Sequence, residues 1–250
     1  MANEVAVITG GGSGIGQALA QRLAEEGFHV LIAGRRAQSL EETKALMPAS
    51  IQPVVADVAT PEGRECVREA VGTSRLRFLI HNAGVLEPVG PLERAELDAW
   101  RRNMAVNVEA PLFLTQALLP RLRGGGRVLH ISSGAAHHPY PGWGAYCTGK
   151  AALHMLYQVW GEELEAQDIA VGSLRPGVVD TPMQALIREQ TPENFPRVER
   201  FLKLKEQGLL RSPAEVADFC RWLLLEPDPQ RFAAHEWDIG NPEHTADWQD

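Results

Sequence analysis

The chain has 250 residues, of which 44% are hydrophobic and 22% charged, and its formal net charge is −8. These values are typical of a globular protein with a sizeable core, and the acidic balance argues against a nucleic-acid or anionic-membrane partner. The three cysteines have neither disulfide nor metal-binding spacing: Cys66, Cys147 and Cys220. No signal-peptide pattern and no membrane-spanning apolar run is found. We therefore expect a cytoplasmic protein with reduced thiols.

Short apolar runs alternate with longer helical patterns through the first two thirds of the chain. The predicted strands are 5–8, 30–33, 52–55, 78–80, 127–131 and 169–174. The predicted helices lie near 14–26, 37–46, 61–72, 96–122 and 146–166. Alternating strands and helices with short connections indicate βαβ units and a parallel sheet, and right-handed crossovers favour a doubly wound α/β fold. Since no linker divides the chain, one domain spanning 1–250 is expected.

The alternation stops after the sixth predicted strand. The segment 182–211 is charged and is interrupted by Pro192 and Pro196. A new helix is predicted to start at Ser212-Pro213, with Glu215 in its first turn. Such an insertion is either a lid over a binding site or a solvated surface excursion.

A glycine-rich turn, TGGGSGIG at 9–16, follows the first strand and opens the first helix. Glycines let a phosphate approach the backbone, and the helix start offers free N–H groups. This is the context of a dinucleotide-binding loop. The spacing departs from GxGxxG because Ser13 stands in the fourth place counted from Gly10, and a plain tight turn is the alternative.

The second strand ends in HVLIAGRR, which bears on the choice of dinucleotide. NAD sites carry an acidic residue here, whereas NADP sites favour arginine near the 2′-phosphate. Gly34 occupies the acidic place and is followed by Arg35 and Arg36. A guanidinium binds phosphate, and a carboxylate repels it. NADP(H) is therefore preferred with NAD(H) possible, unless the arginines only end a strand in solvent.

These motifs together resemble the short-chain dehydrogenase/reductase family. They follow the family's order from residue 4 to about 182: the glycine turn, HNAGV at 81–85, Asn107, Ser133, Tyr146 with Lys150, and RPGVVDT at 175–181. A Tyr-x-x-x-Lys pattern alone is weak, but the accompanying motifs make the resemblance specific. The resemblance implies a Rossmann-type doubly wound parallel sheet of about seven strands, flanked by helices on both faces.

The resemblance also implies a catalytic set. Tyr146 and Lys150 share one face of a helix, and a nearby ammonium is expected to lower the tyrosine pKa from about 10. Tyr146 then acts as the general acid in carbonyl reduction, and Lys150 also holds the nicotinamide ribose. Ser133 hydrogen-bonds the carbonyl oxygen, and Asn107 holds a water in the proton relay.

Further cofactor contacts follow from the resemblance. Asp57 and Val58 are expected at the adenine, although Asp57 is equally suited to a turn or a helix N-cap. The full set expected at the cofactor is Gly10, Ser13, Gly14, Ile15, Gly16, Arg35, Asp57, Val58, Asn82, Ala83, Gly84, Tyr146, Lys150, Pro176, Gly177, Val179 and Thr181.

Two longer stretches resemble the sepiapterin reductase and benzil reductase branch: PGWGAYCTGKAALHMLYQV at 141–159 and PGVVDTPMQALIRE at 176–189. That branch reduces vicinal dicarbonyls and related ketones with NADPH. Tyr140, Trp143 and Met183 are expected to form an apolar wall for a flat substrate, with loop packing as the alternative. The acidic pterin anchor of sepiapterin reductases is replaced by Trp237, with Asp238 one residue later, which argues against sepiapterin.

The histidines do not predict a metal site. His137 and His138 are adjacent and expected to point apart, and His154, His235 and His244 share no ligand spacing with them. No metal is therefore expected.

A homodimer or homotetramer is expected through the two long helices near 96–122 and 146–166. Leu153, Leu156, Tyr157 and Trp160 exceed one core-facing stripe, although core burial explains part of that pattern.

The sequence thus favours an NADPH-dependent carbonyl reductase acting on a small-molecule ketone or vicinal dicarbonyl. The alternatives are an NAD-dependent alcohol dehydrogenase and a catalytically silent dinucleotide-sensing protein. The intact set of Asn107, Ser133, Tyr146 and Lys150 argues against the sensor.

Overall fold

The computed structural model describes residues 4–249 and is built on a seven-stranded parallel sheet. The strands are β1 Val5–Thr9, β2 His29–Gly34, β3 Ile51–Val55, β4 Leu76–His81, β5 Gly126–Ile131, β6 Ile169–Arg175 and β7 Glu236–Asp238. Their order across the sheet is β3-β2-β1-β4-β5-β6-β7. The predicted Rossmann-type doubly wound fold is confirmed, and β7 completes the expected seven strands.

Eleven α-helices connect or flank the strands within the described residues. They are α1 Gly14–Glu25, α2 Ala37–Lys44, α3 Pro61–Val71, α4 Leu97–Met104, α5 Ala110–Leu122, α6 Gly144–Leu164, α7 Pro182–Arg188, α8 Val198–Glu206, α9 Pro213–Leu225, α10 Pro229–Ala233 and α11 Pro242–Gln249. None of the helices between residues 4 and 249 combines the length and the apolar content needed to cross a membrane.

The single helix predicted over 96–122 differs in the structure. A π-helical turn, Ala105–Glu109, separates α4 from α5. Periodicity alone does not distinguish one wide turn from regular helix, because the apolar spacing shifts by a single residue. Such turns are often found at functional sites, and this one contains Asn107.

Two apolar cores cover the two faces of the sheet. Residues of α1 and α9, such as Leu19 and Phe219, pack on one face. Residues of α5 and α6, such as Leu114 and Trp160, pack on the other. β1, β4 and β5 lie between the two cores and are almost wholly buried, which explains why these strands are apolar runs rather than alternating patterns.

The strand order reverses at β1, because β2 lies on one side of it and β4 on the other. The loops after β1 and β4 therefore run to opposite faces of the sheet and leave a crevice at its carboxyl edge. Open α/β sheets bind ligands at this point.

Phe232 of α10 fixes β6 and β7 beneath this edge. Its side chain is fully buried and packs on Gly172, where a Cβ would approach its ring to 2.7 Å. The backbone carbonyl of Phe232 also accepts a 3.0 Å hydrogen bond from Trp237 Nε1 in β7. Glycine is thus required on β6 so that the tip of the aromatic ring can approach the strand backbone.

We predict that Phe232→Ala lowers the free energy of unfolding by about 3–5 kcal/mol, because it leaves a cavity that the rigid strands cannot fill. Urea unfolding monitored by circular dichroism measures the change. Leu209→Ala is the control, since Leu209 is 61% exposed and its truncation is expected to cost less than about 0.5 kcal/mol. Equal losses in the two variants would contradict the prediction.

Candidate active site

The glycine turn between β1 and α1 adopts conformations that other residues disfavour. Gly10 has φ +70°, and a Cβ there would lie 2.9 Å from Asn82 Nδ2. Asn82 Nδ2 donates hydrogen bonds to the carbonyls of Thr9 at 3.0 Å and Gly10 at 3.1 Å. The turn is therefore held by β4 through one amide side chain. Ser13 makes no capping hydrogen bond with its side chain, so the start of α1 keeps free N–H groups for an anion.

One crevice at the carboxyl edge of the sheet, with a volume of about 610 Å³, collects almost all of the predicted site residues. Of the predicted catalytic, cofactor and substrate residues, only Gly16 and Asn107 do not line it. Gly16 has a packing role, because a Cβ there would lie 2.4 Å from the Gly10 carbonyl oxygen. It allows α1 to begin directly beneath the turn.

The far end of the crevice, at the ends of β2 and β3, is rich in guanidinium groups. Arg35 and Arg36 are exposed and line it as predicted. Arg102, on α4, also lines it and was not predicted, because a polar helix gives no sequence signal for its position. Arg102 Nη2 contacts Asp57 Oδ2 at 2.7 Å.

Asp57 combines the two roles that the sequence left open. It lines the crevice, and its Oδ1 accepts a hydrogen bond from the Ala59 amide at 3.1 Å, forming a turn. The N-cap of α3 is Thr60 rather than Asp57. Burial opposes ionisation of Asp57, but hydrogen bonds from Arg102 and Ala59 outweigh it and hold its pKa below the usual value.

Tyr146 and Lys150 lie one turn apart on α6 and are both buried. Lys150 Nζ donates a 2.7 Å hydrogen bond to the Ile131 carbonyl at the end of β5 and lies 5.7 Å from the centroid of the Tyr146 ring. Burial lowers the pKa of Lys150 to about 8, although the charge of Glu236 acts in the opposite direction. The lysine is thus poised to change charge near neutral pH.

The expected lowering of the Tyr146 pKa by Lys150 is wrong for this structure. Burial raises the pKa of Tyr146 to about 12, and a hydrogen bond with Ser133 offsets only part of that rise. The physical reason is that both side chains are desolvated, and the ammonium hydrogen-bonds the Ile131 carbonyl. Tyr146 is therefore protonated at neutral pH, which suits a proton donor.

Asn107 is held by its amide group rather than open to the crevice. Its Nδ2 donates to the Val85 carbonyl at 2.9 Å and to Asn103 Oδ1 at 2.8 Å. Its Oδ1 accepts from the Val85 amide at 3.1 Å. The Asn107 side chain thus fixes the loop after β4. The backbone of Asn107 lies in the π-helical turn, where the regular α-helical hydrogen-bonding pattern is interrupted.

Tyr140, Trp143 and Met183 all line the crevice as predicted, but Trp143 does not present an open ring face. Tyr140 stacks on the Trp143 ring at a centroid distance of 4.9 Å, and Phe195 stacks on the same ring at 4.4 Å. Trp143 is only 5% exposed. Trp143 thus takes part in loop packing, and the substrate wall of Tyr140, Trp143 and Met183, which are all open to the crevice, stays a prediction.

Residues from the segment 182–211 complete this wall and were not individually predicted. They share an apolar cluster with Trp143 and Tyr146, and those that line the crevice include Leu186, Ile187 and Phe201. Two charged side chains, Glu87 and Arg200, also reach it. The apolar residues of the segment 182–211 are separated by loops, so no helical periodicity identified them in the sequence.

No residue of β7 lines the crevice. Trp237 is buried in the core, and Asp238 pairs with Arg175 at 2.9 Å. The absence of an acidic pterin anchor at these two positions agrees with the sequence interpretation.

The histidines lie closer together than their sequence spacing indicated. The ring centroids of His137 and His154 are 4.5 Å apart, and those of His235 and His244 are 4.4 Å apart. His137 and His154 also share Glu236 as a hydrogen-bonding partner. Sequence spacing did not indicate that His137 and His154 meet, because β7 and α6 bring positions that are distant in sequence together.

The chain is similar to known proteins over most of its length. The family model described as short chain dehydrogenase matches residues 4–192. A benzil reductase ((S)-benzoin forming) of Bacillus cereus is 38% identical, covering 90% of this chain and 95% of the relative. A benzil reductase ((S)-benzoin forming) of Bacillus subtilis is 37% identical, covering 86% of this chain and 90% of the relative.

Solved structures share the same architecture. The KRED1-Pglu enzyme has a TM-score of 0.86 and 32% identity over 94% of this chain and 100% of that one. A 3-ketoacyl-(acyl-carrier-protein) reductase of Brucella melitensis, complexed with NADH, has a TM-score of 0.81 and 25% identity over 94% and 96% of the two chains. The matched model, the relatives and the glycine turn above the Tyr146–Lys150 pair show that the chain belongs to the short-chain dehydrogenase/reductase family of NAD(P)-dependent oxidoreductases.

Proposed function

We propose that the chain is an NADPH-dependent carbonyl reductase that acts on ketones and vicinal dicarbonyls. The observation that carries this proposal is the convergence of Tyr146, Lys150 and Ser133 in one crevice with the glycine turn. The similarity to two benzil reductases over most of the chain supports the same substrate class.

The crevice fits a dinucleotide along its whole length. The glycine turn and the free N–H groups of α1 suit a pyrophosphate. Arg35 suits a 2′-phosphate, as its exposed guanidinium follows Gly34, which stands where NAD enzymes carry an acid. We assign Asp57 and Val58 to the adenine end and 82–84 to the next section, and all of them line the crevice. The residues assigned to the nicotinamide side are Pro176, Gly177, Val179 and Thr181.

The bound cofactor supplies the hydride, and the protein supplies the proton and the orientation. Tyr146 donates its phenolic proton to the carbonyl oxygen of the substrate, a role that its protonated state at neutral pH suits. Ser133 donates a hydrogen bond to the same oxygen as negative charge develops there. We assign Lys150 to the nicotinamide ribose, which its amine would hold beside Tyr146.

The substrate side is mainly apolar. Tyr140, Trp143 and Phe201 supply aromatic surface near Tyr146, which suits a flat aromatic ketone. We further propose that the chain forms one domain spanning 1–250. Within it, the segment 182–211 acts as a lid, since α7 and α8 pack directly over the aromatic surface.

If the chain forms the expected homodimer or homotetramer, the contact between subunits involves apolar residues other than those that the sequence indicated. Leu153, Tyr157 and Trp160 are buried within the chain. The exposed apolar residues of the long helices are instead Phe113, Met155 and Val159. Their exposure supports assembly through α5 and α6.

We predict that Tyr146→Phe lowers kcat/KM for NADPH-dependent reduction of benzil by about 10²–10⁴-fold, because the substitution removes the proton donor. NADPH oxidation followed by absorbance measures turnover, with a pterin ketone as the comparison substrate. NADPH binding, measured by fluorescence, is expected to stay nearly unchanged.

Tyr157→Phe is the control for this prediction, because Tyr157 is also a buried tyrosine of α6 but does not line the crevice. Full activity of Tyr146→Phe would overturn the catalytic assignment. Turnover with NADH alone would move the proposal to the NAD-dependent alternative.

We predict that Arg35→Ala raises the dissociation constant of NADPH about tenfold or more and leaves that of NADH nearly unchanged. The reason is the loss of a charge-assisted hydrogen bond to the 2′-phosphate. Titration calorimetry with each cofactor measures both constants. Arg94→Ala, at an exposed arginine outside the crevice, is the control, and equal weakening of both cofactors by Arg35→Ala would remove the assigned role.

We predict that wild-type stability, relative to that of Lys150→Met, rises as the pH increases from 7 to 9.5. The folded-state pKa of Lys150 is about 8, below its ordinary value of 10.5. Above pH 8 the unfolded chain therefore binds more protons than the folded one, and the penalty of burying the charge disappears. Unfolding of the cofactor-free proteins at several pH values measures the difference. A difference that does not change with pH would contradict the lowered pKa.

A further inference from the structure

A cluster of His137, His154 and Glu236 lies outside the crevice. The three side chains come from the loop after β5, from α6 and from β7. His137 Nε2 lies 2.5 Å from Glu236 Oε2, and His154 Nδ1 lies 3.2 Å from Glu236 Oε1. Three elements distant in sequence thus present two imidazoles and one carboxylate to a common point.

The geometry of the cluster suits a small tetrahedral ion. Tetrahedral Zn²⁺ with bonds of about 2.0–2.2 Å holds neighbouring ligand atoms about 3.3–3.6 Å apart. The separation of His154 Nδ1 from Glu236 Oε1, 3.2 Å, is close to this range. One ligand atom from each of the three residues lies within 4.8 Å of the others. His137 stands on a loop, so its imidazole can adjust to bring the three ligand atoms around one ion.

Two cations lie near the carboxylate of the cluster. Arg175 Nε is 3.3 Å from Glu236 Oε2, but Arg175 also pairs with Asp238 at 2.9 Å, and the charge of Glu236 also acts on Lys150. The Nε group of Arg175 makes no hydrogen bond, so it does not occupy a carboxylate lone pair. Because the two carboxylates and the two cations sum to zero, ion binding relies on the imidazole and carboxylate ligands rather than on a net negative field.

Glu236 is held ready for this role. Burial opposes its ionisation, but hydrogen bonds from neighbouring side chains, including His137 and Ser173, keep its pKa below the usual value. Ser173 Oγ donates to Oε1 at 3.0 Å, which fixes the carboxylate from behind. Second-shell hydrogen bonds of this kind orient metal ligands.

The cluster is open on one side. The exposed fractions of the side chains are 31% for His137, 22% for His154 and 7% for Glu236. An ion can therefore enter from solvent and keep a water as its fourth ligand, as in zinc sites with three protein ligands.

We propose that His137, His154 and Glu236 form a binding site for a divalent transition metal ion of the Zn²⁺ type, separate from the cofactor crevice. The ion would replace the protons that these groups now share and would join the loop after Ser133 to α6. Since this loop leads to Tyr140 and Trp143, ion binding would hold the aromatic wall in place.

Zinc titration of the tag-free, cofactor-free protein at pH 7.5 tests the site. We expect one equivalent of Zn²⁺ to bind to the wild type, observed by calorimetry and as a raised melting temperature. His137→Gln and His154→Gln are each expected to weaken binding at least about tenfold. His138→Gln is the matched control, because His138 is the exposed neighbour of His137 and lies outside the cluster.

Cobalt substitution distinguishes this site from the cysteines, of which Cys66 is exposed and Cys147 partly so. Bound Co²⁺ is expected to show visible absorption without a thiolate charge-transfer band. Melting curves without metal check that each variant folds. Equal Zn²⁺ affinity in all three variants, thiolate absorption in the cobalt form, or no binding to the wild type would each overturn the proposal. The last result would leave a hydrogen-bonded cluster only.

Discussion

The hydrogen bond from Lys150 Nζ to the Ile131 carbonyl is the contact on which the site depends. It joins α6 to the last residue of β5, and Ser133 follows two residues later. Because Tyr146 lies one turn before Lys150 on the same helix face, this bond also sets the position of the phenol relative to Ser133. The helix, the strand end and the two hydroxyls proposed as catalytic are therefore joined in one unit.

Burial of Lys150 is unfavourable for stability, since an amine removed from water loses its hydration. The surrounding structure tolerates it because the amine has one strong acceptor and lies within the field of Glu236. The same burial that weakens the fold brings the lysine pKa to about 8. The desolvation of Lys150 thus lowers the stability of the fold and also brings the lysine pKa closer to neutral pH.

The sequence predicted those features that depend on local order. The strands are apolar runs, the glycine turn follows β1 directly, and the spacing of Tyr146 and Lys150 fixes their shared helix face. Because the carboxyl ends of parallel strands meet at one edge, the strand ends located the crevice, while most of the residues expected in it came from the family resemblance. The family resemblance supplied the roles but not the contacts.

The remaining features arise from packing between distant segments. Arg102 meets Asp57 across 45 residues, and His137 meets Glu236 across 99. The π-helical turn at Asn107 shifts the helix by a fraction of a turn, which apolar periodicity does not resolve. The raised pKa of Tyr146 depends on how completely its ring is buried, and a motif of types and spacings does not carry that quantity.

The stack of Tyr140, Trp143 and Phe195 has a consequence for how the pocket changes over evolution. Trp143 belongs to the loop before α6, whereas Phe195 belongs to the segment between α7 and α8. The packing behind the pocket wall is thus shared by the loop that also carries Ser133 and by a segment that carries none of the proposed catalytic residues. Substitutions at Phe195 can reposition Trp143, which lines the pocket, while the phenol, the amine and the glycine turn stay in place. Substrate range and chemistry are therefore free to diverge independently in this molecule.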